Sequence, residues 1–365
     1  DYKPYLLKTK DYGATWTMIT SGIPNDHFTR VVRADPKRKG LLYAGTEAGM
    51  YVSFDDGASW APFQQNLPIV PITDLTIKND NLIAATQGRS FWIIDDLTPL
   101  HQLSNEVAAA NHFLYKPMPS YRMPGSQART PSKTAGENHP GGVMAYFYLK
   151  SVTDSASISL EFMQQDGTLI KKYATDAKEK KEKLEVKEGL NRFVWNMRYP
   201  DAEDFKGLIM WAGSVTGPLA MPGTYTVRLT VEGQSMETEF DILADPRAKA
   251  SAADYQAQFD YLISVRDKLS ETHIAIKQIR LVRDQINAVT ESLEGMDGTE
   301  GLHDDAAEIL EKMKVIEEAL YQTQNRSGQD PLNFPIRLNN KLAALNRQVG
   351  VGNYPPTDQA VGVKN

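Results

Sequence analysis

An eight-residue stretch occurs twice at a fixed distance, and it constrains the fold more than any other feature of the 365-residue chain. Thr9-Lys10-Asp11-Tyr12-Gly13-Ala14-Thr15-Trp16 matches Ser53-Phe54-Asp55-Asp56-Gly57-Ala58-Ser59-Trp60, and Asp11 to Asp55, Gly13 to Gly57 and Trp16 to Trp60 each span 44 residues. A repeat of about 40–45 residues made of short strands has the period of a four-stranded propeller blade. Residues 29–33, 41–45 and 50–54 have strand texture, with turns at 36–40 and 46–49. A third unit, without the stretch, runs through 72–77, 82–86 and 90–95. The chemistry of the stretch is mechanical. Its Asp accepts backbone N–H groups in a turn, its Gly takes a positive φ, its hydroxyl ties back and its Trp packs between strands. Asp11, Gly13, Trp16, Asp55, Gly57 and Trp60 are therefore expected to be structural. The pairs Asp55/Asp56 and Asp95/Asp96 are correspondingly poor candidates for acid/base catalysis.

The stretch resembles the Asp-box, S/T-x-D-x-G-x-T/S-W, of the BNR-repeat propellers, which include sialidases and sortilin-like domains. The resemblance implies a hairpin between the third and fourth strands of a blade, away from the ligand face. Residues 87–100, QGRSFWIIDDLTPL, resemble the last-blade signature of large bacterial sortilin-like BNR proteins, often described as glycosyl hydrolase-like. Residues 1–104 account for about two and a half blades, whereas closed propellers have about 4–8. An open stack of that kind leaves bare sheet edges. The expectation is a C-terminal part of a larger protein, with Asp1 a break in a longer chain. Its first partner would be the upstream propeller part of the same polypeptide. The resemblance also implies an extracytoplasmic bacterial setting: periplasmic, cell-surface or secreted.

The face opposite the Asp-box hairpins carries the loops where a propeller holds its ligand. Here those loops contain Asn25, Asp26 and His27, then Glu47, then Arg89. Glu47 and Arg89 are the sharpest candidates for ligand contact; the alternative is that they are ordinary polar loop residues.

Residues 105–142 read as a linker or long loop, because 116–142 hold five prolines and four glycines. From 143 to 245 short alternating strands recur at 143–151, 157–163, 168–173, 191–197, 224–231 and 237–243. Their spacing suits a β-sandwich. PGTYTVRL at 222–229 and FVWN at 193–196 resemble Ig-like or fibronectin-type modules appended to secreted bacterial enzymes. Trp195 is expected in the core, and the alternating-charge run 178–187 as a solvated hairpin. The excursion 205–221, with Trp211, is a candidate for contacting the propeller or a ligand. From 250 to 350 apolar spacing predicts three antiparallel helices, the first ending before 294–303 and the second capped by Asp304 or Asp305. Residues 351–365 read as a tail.

Composition narrows the chemistry. There is no cysteine, so thiol nucleophiles, disulfides and cysteine-ligated metals are excluded. The six histidines are scattered and match no metal signature, and His273 reads as a packed or surface residue. No cofactor fingerprint and no metal site is expected. A net charge of −6 argues against nucleic acid as a partner, and no apolar run is long enough for a membrane span. Two functions remain. One is a binding or interaction protein that engages peptide, glycan or another extracytoplasmic protein, with the later domains as docking surfaces. The alternative is a glycoside hydrolase whose two carboxylates, about 5–9.5 Å apart, lie mostly in upstream blades.

Overall fold

Turn residues every few positions break the first hundred residues into short strands. In a computed structural model, which describes residues 2–123, 136, 138–153 and 155–364, these strands form three antiparallel sheets. The break expected at Asp1, and residues 124–135 and 137 of the expected linker, lie outside the described residues. β1 (Leu7–Lys8) pairs with β2 (Thr17–Met18), with the first Asp-box between them. β3 (Thr29–Ala34), β4 (Leu42–Thr46), β5 (Gly49–Ser53) and β6 (Ala61–Pro62) form a four-stranded sheet in sequential order. β7 (Ile72–Lys78), β8 (Asn81–Thr86) and β9 (Phe91–Ile94) form a three-stranded one. The second and third sheets bulge at corresponding places, between Thr29 and Val31 and between Ile72 and Asp74. Sheets of two, four and three strands do not make a complete propeller among the described residues.

The sheets stack through side chains that alternate inward. Val31, Tyr43, Met50 and Val52 of the second pack against Ile72, Leu75, Leu82 and Ala84 of the third. Gly45 permits the close approach, since a Cβ there would lie 2.7 Å from Ile72 Cγ2. A short helix α1 (Thr98–Gln102) closes this end, with Leu97 and Leu100 joining the same core.

Part of the segment expected as linker is instead folded. It holds helix α2 (Asn105–Ala109), β10 (His112–Leu114) and β11 (Ser120–Tyr121). β10 pairs with β12 (Val143–Leu149), which pairs with β15 (Gly189–Trp195). β11 joins β17 (Gln234–Leu243), which continues through β16 (Gly223–Val231) and β13 (Ile158–Gln164) to β14 (Leu169–Ala174). Both unexpected strands are edge strands, the position where neighbouring prolines such as Pro117 and Pro119 cost no ladder hydrogen bond. The three- and five-stranded sheets share one core around Trp195, which is fully buried and stacks on Phe162 at 4.7 Å. The charged run is not a hairpin: a 3-10 turn at Lys180–Glu182 leads to Leu184, which enters that core.

The helical region starts with α3 (Ala252–Ser292), whose N-terminus is a capping box of Ser251 and Asp254. It continues with α4 (Glu300–Leu320) and α5 (Leu338–Val349). α4 starts after Thr299, so Asp304 and Asp305 lie inside the helix and cap nothing. The expected tail includes a further helix, α6 (Asp358–Lys364), docked where Tyr261 Oη donates to the Ala360 carbonyl at 2.6 Å. The excursion before β16 turns to the helices. Trp211 and Asn340 exchange two hydrogen bonds, at 2.7 and 2.8 Å, and Phe205 packs edge-on against His273. Trp211 is thus tied to α5. Phe259 and Ile263 of α3 lean on the sandwich core, so sheets and helices are joined by apolar packing.

Candidate functional site

The registers of the four-stranded sheet fix two opposite ends. Leu42 pairs with Ser53 and Ala34 with Leu42, which puts the repeated stretch at one end; Thr46 pairs with Gly49 and Thr29 with Thr46 at the other.

At the first end the two copies of the repeated stretch are built alike. Asp11 Oδ1 accepts from Thr15 N and Thr9 Oγ1, and Asp11 Oδ2 from Thr15 Oγ1 at 2.6 Å. Asp55 Oδ1 accepts from Ser59 N and Ser53 Oγ, and Asp55 Oδ2 from Ser59 Oγ at 2.5 Å. Gly13 N and Gly57 N donate to Thr9 and Ser53 Oγ, and both glycines have positive φ, +97° and +87°. Hydrogen bonds to the ionised form, led by the Thr15 and Ser59 hydroxyls, hold both carboxyls down at about 2. Such groups stay anionic turn-formers and cannot serve as proton donors near neutral pH. The tryptophans differ. Trp60 is 5% exposed, donates Nε1–H to the Ile19 carbonyl at 2.7 Å and packs with Leu6 and Ile23, contributed by the preceding hairpin and its exit loop. Trp16 is 58% exposed.

At the opposite end the expected loop residues gather in part. Glu47 accepts from Arg30 Nε at 2.7 Å and Nη2 at 2.5 Å. The Arg30 guanidinium also lies 5.1 Å from the centre of the Phe28 ring. His27 Nδ1 lies 2.6 Å from Tyr51 Oη. Burial, and then the charge of Asp26, push the Tyr51 hydroxyl above its ordinary value. Tyr2 stands 76% exposed, 6.1 Å from Phe28. Arg89 occupies the corresponding turn of the next sheet, between β8 and β9, but it is not drawn into this cluster. Its Nη1 donates to the Gly88 carbonyl, and its own carbonyl accepts from Trp92 Nε1 at 2.8 Å. Asp26, His27 and Glu47 therefore share one sheet end with Arg30, Phe28, Tyr51 and Tyr2, which the loop-only reading of the sequence missed. Arg30 and Tyr51 sit on strands, so only strand register could have placed them there. Charges of both signs beside the exposed Tyr2 ring and the half-buried Phe28 ring give hydrogen-bonding and stacking groups of the kind that bind polar ligands.

A second polar group ties the sheets together. The Asp35 side chain is wholly buried and accepts from Lys37 N, Arg38 N and Tyr43 Oη, with His101 Nε2 2.9 Å away. It latches α1 onto the four-stranded sheet. The helical His273 is buried as well: Nδ1–H donates to the Glu203 carbonyl at 2.5 Å, and Asn339 Nδ2–H donates to Nε2. No cluster of metal-ligating side chains occurs among the described residues. No described helix is long and apolar enough to cross a membrane.

No family model matches the chain, and no curated protein matches it. Two crystal structures of the extracellular domain of one B. thetaiotaomicron protein are distantly similar. That protein is described in one as a one component system and in the other as a hybrid two component system. The first aligns at 11% identity with a TM-score of 0.23, covering 68% of this chain and 29% of that one. The second aligns at 10% identity with a TM-score of 0.22, covering 67% and 29%. The chain thus spans 29% of the length of the structures it is similar to.

Proposed function

We propose that residues 1–104 are the closing blades of an Asp-box propeller, and that the chain is the C-terminal part of an extracytoplasmic binding protein. The observation that carries the first part is the contrast between the two tryptophans. Trp60 fills a notch made by the hairpin before it, and Trp16, at the same place in its own Asp-box, stands bare. A preceding blade would cover it. Tyr5, Leu7 and Met18 on this flank, and Phe91 and Ile93 on β9 at the other, are also at least half exposed, as the two open sides of a partial ring require.

The binding role rests on the sheet end with Asp26, His27, Arg30 and Glu47 and its aromatic neighbours. The ligand class we favour is peptide or glycan, met by charge-assisted hydrogen bonds and ring stacking. The sandwich and the helices, in this reading an Ig-like module and a docking bundle, space or anchor the propeller. The test is a peptide and glycan array probed with the native, full-length protein, followed by titration of any ligand found. Glu47→Gln or His27→Ala should weaken binding on the order of tenfold, which is about 1.4 kcal/mol, without changing the unfolding midpoint. Undiminished binding in both variants would remove this end as the site. Hydrolysis of aryl glycosides that disappears in Glu47→Gln would replace binding by the hydrolase reading.

A further inference from the structure

We infer that a cavity between the sandwich and the helices, walled by Arg122, Arg198 and Arg347, is a binding site for a small oxyanion. It encloses about 220 Å³ and lies where Ser214–Leu219, the end of α5 and Leu262 of α3 meet. Its floor is Arg122, only 4% exposed, just after β11. Arg122 Nε–H donates to the Ala220 carbonyl at 2.9 Å, Nη2–H to Gln258 Oε1 at 3.1 Å, and Nη1–H to Asn353 Oδ1. Every one of these acceptors is neutral. They engage three of the five guanidinium N–H groups and leave two without an acceptor among the described residues. Arg198, half-buried, donates Nη1–H to the Gly217 carbonyl at 2.8 Å. Arg347 stands at the exposed rim.

None of the three arginines has a carboxylate oxygen within 4.0 Å among the described residues. That is unusual. Arginine is buried with a carboxylate partner in most proteins, because an uncompensated buried charge costs several kcal/mol. Compensation nearby is partial: the Arg122 guanidinium lies 5.1 Å from the centre of the Tyr255 ring, and the remaining negative groups are weak. Asp201 acts on Arg198 only at longer range, while its Oδ1 accepts from Gly217 N at 2.9 Å. The C-terminus of α5 contributes roughly half a unit of negative charge. Burial lowers the proton affinity of both Arg122 and Arg198, and Arg198 adds to the effect on Arg122. The site thus holds an excess of positive charge that a bound anion would neutralise.

The geometry also selects the ligand. Guanidinium groups pair with planar or tetrahedral oxyanions through parallel N–H donors, and the Ser214 and Thr216 hydroxyls add neutral donors on the same wall. At about 30 Å³ per water, the volume holds sulfate or phosphate with a few waters, or one small carboxylic acid.

Isothermal titration of the full chain, at ionic strength fixed with sodium chloride, distinguishes the sources. Sulfate and inorganic phosphate form one arm; acetate and glucuronate form the other. Saturable binding with one site in either arm is the expected result, and the stronger arm names the class. Arg198→Gln should weaken it on the order of tenfold and leave the unfolding midpoint in chloride unchanged or higher, since a repulsive partner is gone. Arg122→Gln tests the floor directly if it folds; Arg198→Gln keeps the test valid if it does not. Absence of saturable heat from all four anions up to about 10 mM, a binding free energy of about −2.7 kcal/mol, would overturn the assignment. So would unchanged affinity in Arg198→Gln.

Discussion

Asp55 carries two hydroxyl bonds and a backbone N–H bond on one exposed carboxylate, and its proton affinity follows from them. Its folded pKa is depressed to about 2, so its contribution to stability is present above the unfolded value near 3.9 and is lost as pH falls from about 5 toward 2. Urea midpoints measured across that window should fall less steeply for Asp55→Asn than for the wild-type chain. Asp96 has the opposite sign. It is buried, and its Oδ1 accepts from Thr98 N, the first residue of α1, at 2.8 Å, while Oδ2 has no hydrogen-bond partner among the described residues. Burial raises its carboxyl above the ordinary value, with the Asp80 charge adding to this. The folded chain therefore loses stability as pH rises through the Asp96 titration, because the charged form is the costly one. Asp96→Asn, which keeps the oxygen that accepts from Thr98 N, should raise the thermal midpoint at pH 7 and give a smaller gain at pH 4. His273 behaves as a buried base: its proton affinity is lowered by burial, so its contribution is intact above about pH 6.5 and declines below it.

At the scale of elements, the two tryptophans of the repeated stretch should separate. Trp60→Ala should cost about 3–5 kcal/mol, the usual range for emptying a buried aromatic site. Trp16→Ala should cost under about 1 kcal/mol in this 365-residue chain, because more than half of the side chain is already in water. In a polypeptide with a preceding blade, the two costs should converge. Denaturant unfolding of both variants in both settings reads this directly. The helices hold a second test. Glu317 is almost wholly buried and accepts from Arg280 Nε at 2.7 Å and Arg283 Nη1 at 2.6 Å, joining α4 to α3. Glu317→Ala strands two cations and should cost on the order of 3 kcal/mol. Ile309→Asn, on an outer face of α4 that is 47% exposed, should cost under about 1 kcal/mol. How legible these elements were depended on whether their pattern was local. The Asp-box was readable because all its bonds fall within a few residues. The edge strands β10 and β11 were hidden by prolines and by partners tens of residues away. α6 was hidden because its docking depends on Tyr261, about a hundred residues earlier. The sheet end with Glu47 was half legible: its loop residues could be named, but their companions on strands needed the register. The Arg122 cavity left no sequence signal, since its walls come from five separated segments.

For the molecule as a whole, the core packing divides the chain after α1. The three- and five-stranded sheets and the helices share apolar contacts through Phe259 and Ile263, and they include β10, β11 and α6. A chain of residues 105–365 should fold cooperatively, with one unfolding transition by circular dichroism. Residues 1–104 expressed alone should aggregate, because both flanks expose apolar strands. A soluble, monomeric, cooperatively folding 1–104 would argue that the three sheets are self-sufficient. The central claim, that these sheets close a larger propeller, is tested most directly by the intact mass and N-terminal sequencing of the polypeptide in its native source. A mass well above 40.7 kDa, with further Asp-box blades preceding Asp1, is the predicted result. A native polypeptide of 40.7 kDa that begins at Asp1 would contradict it.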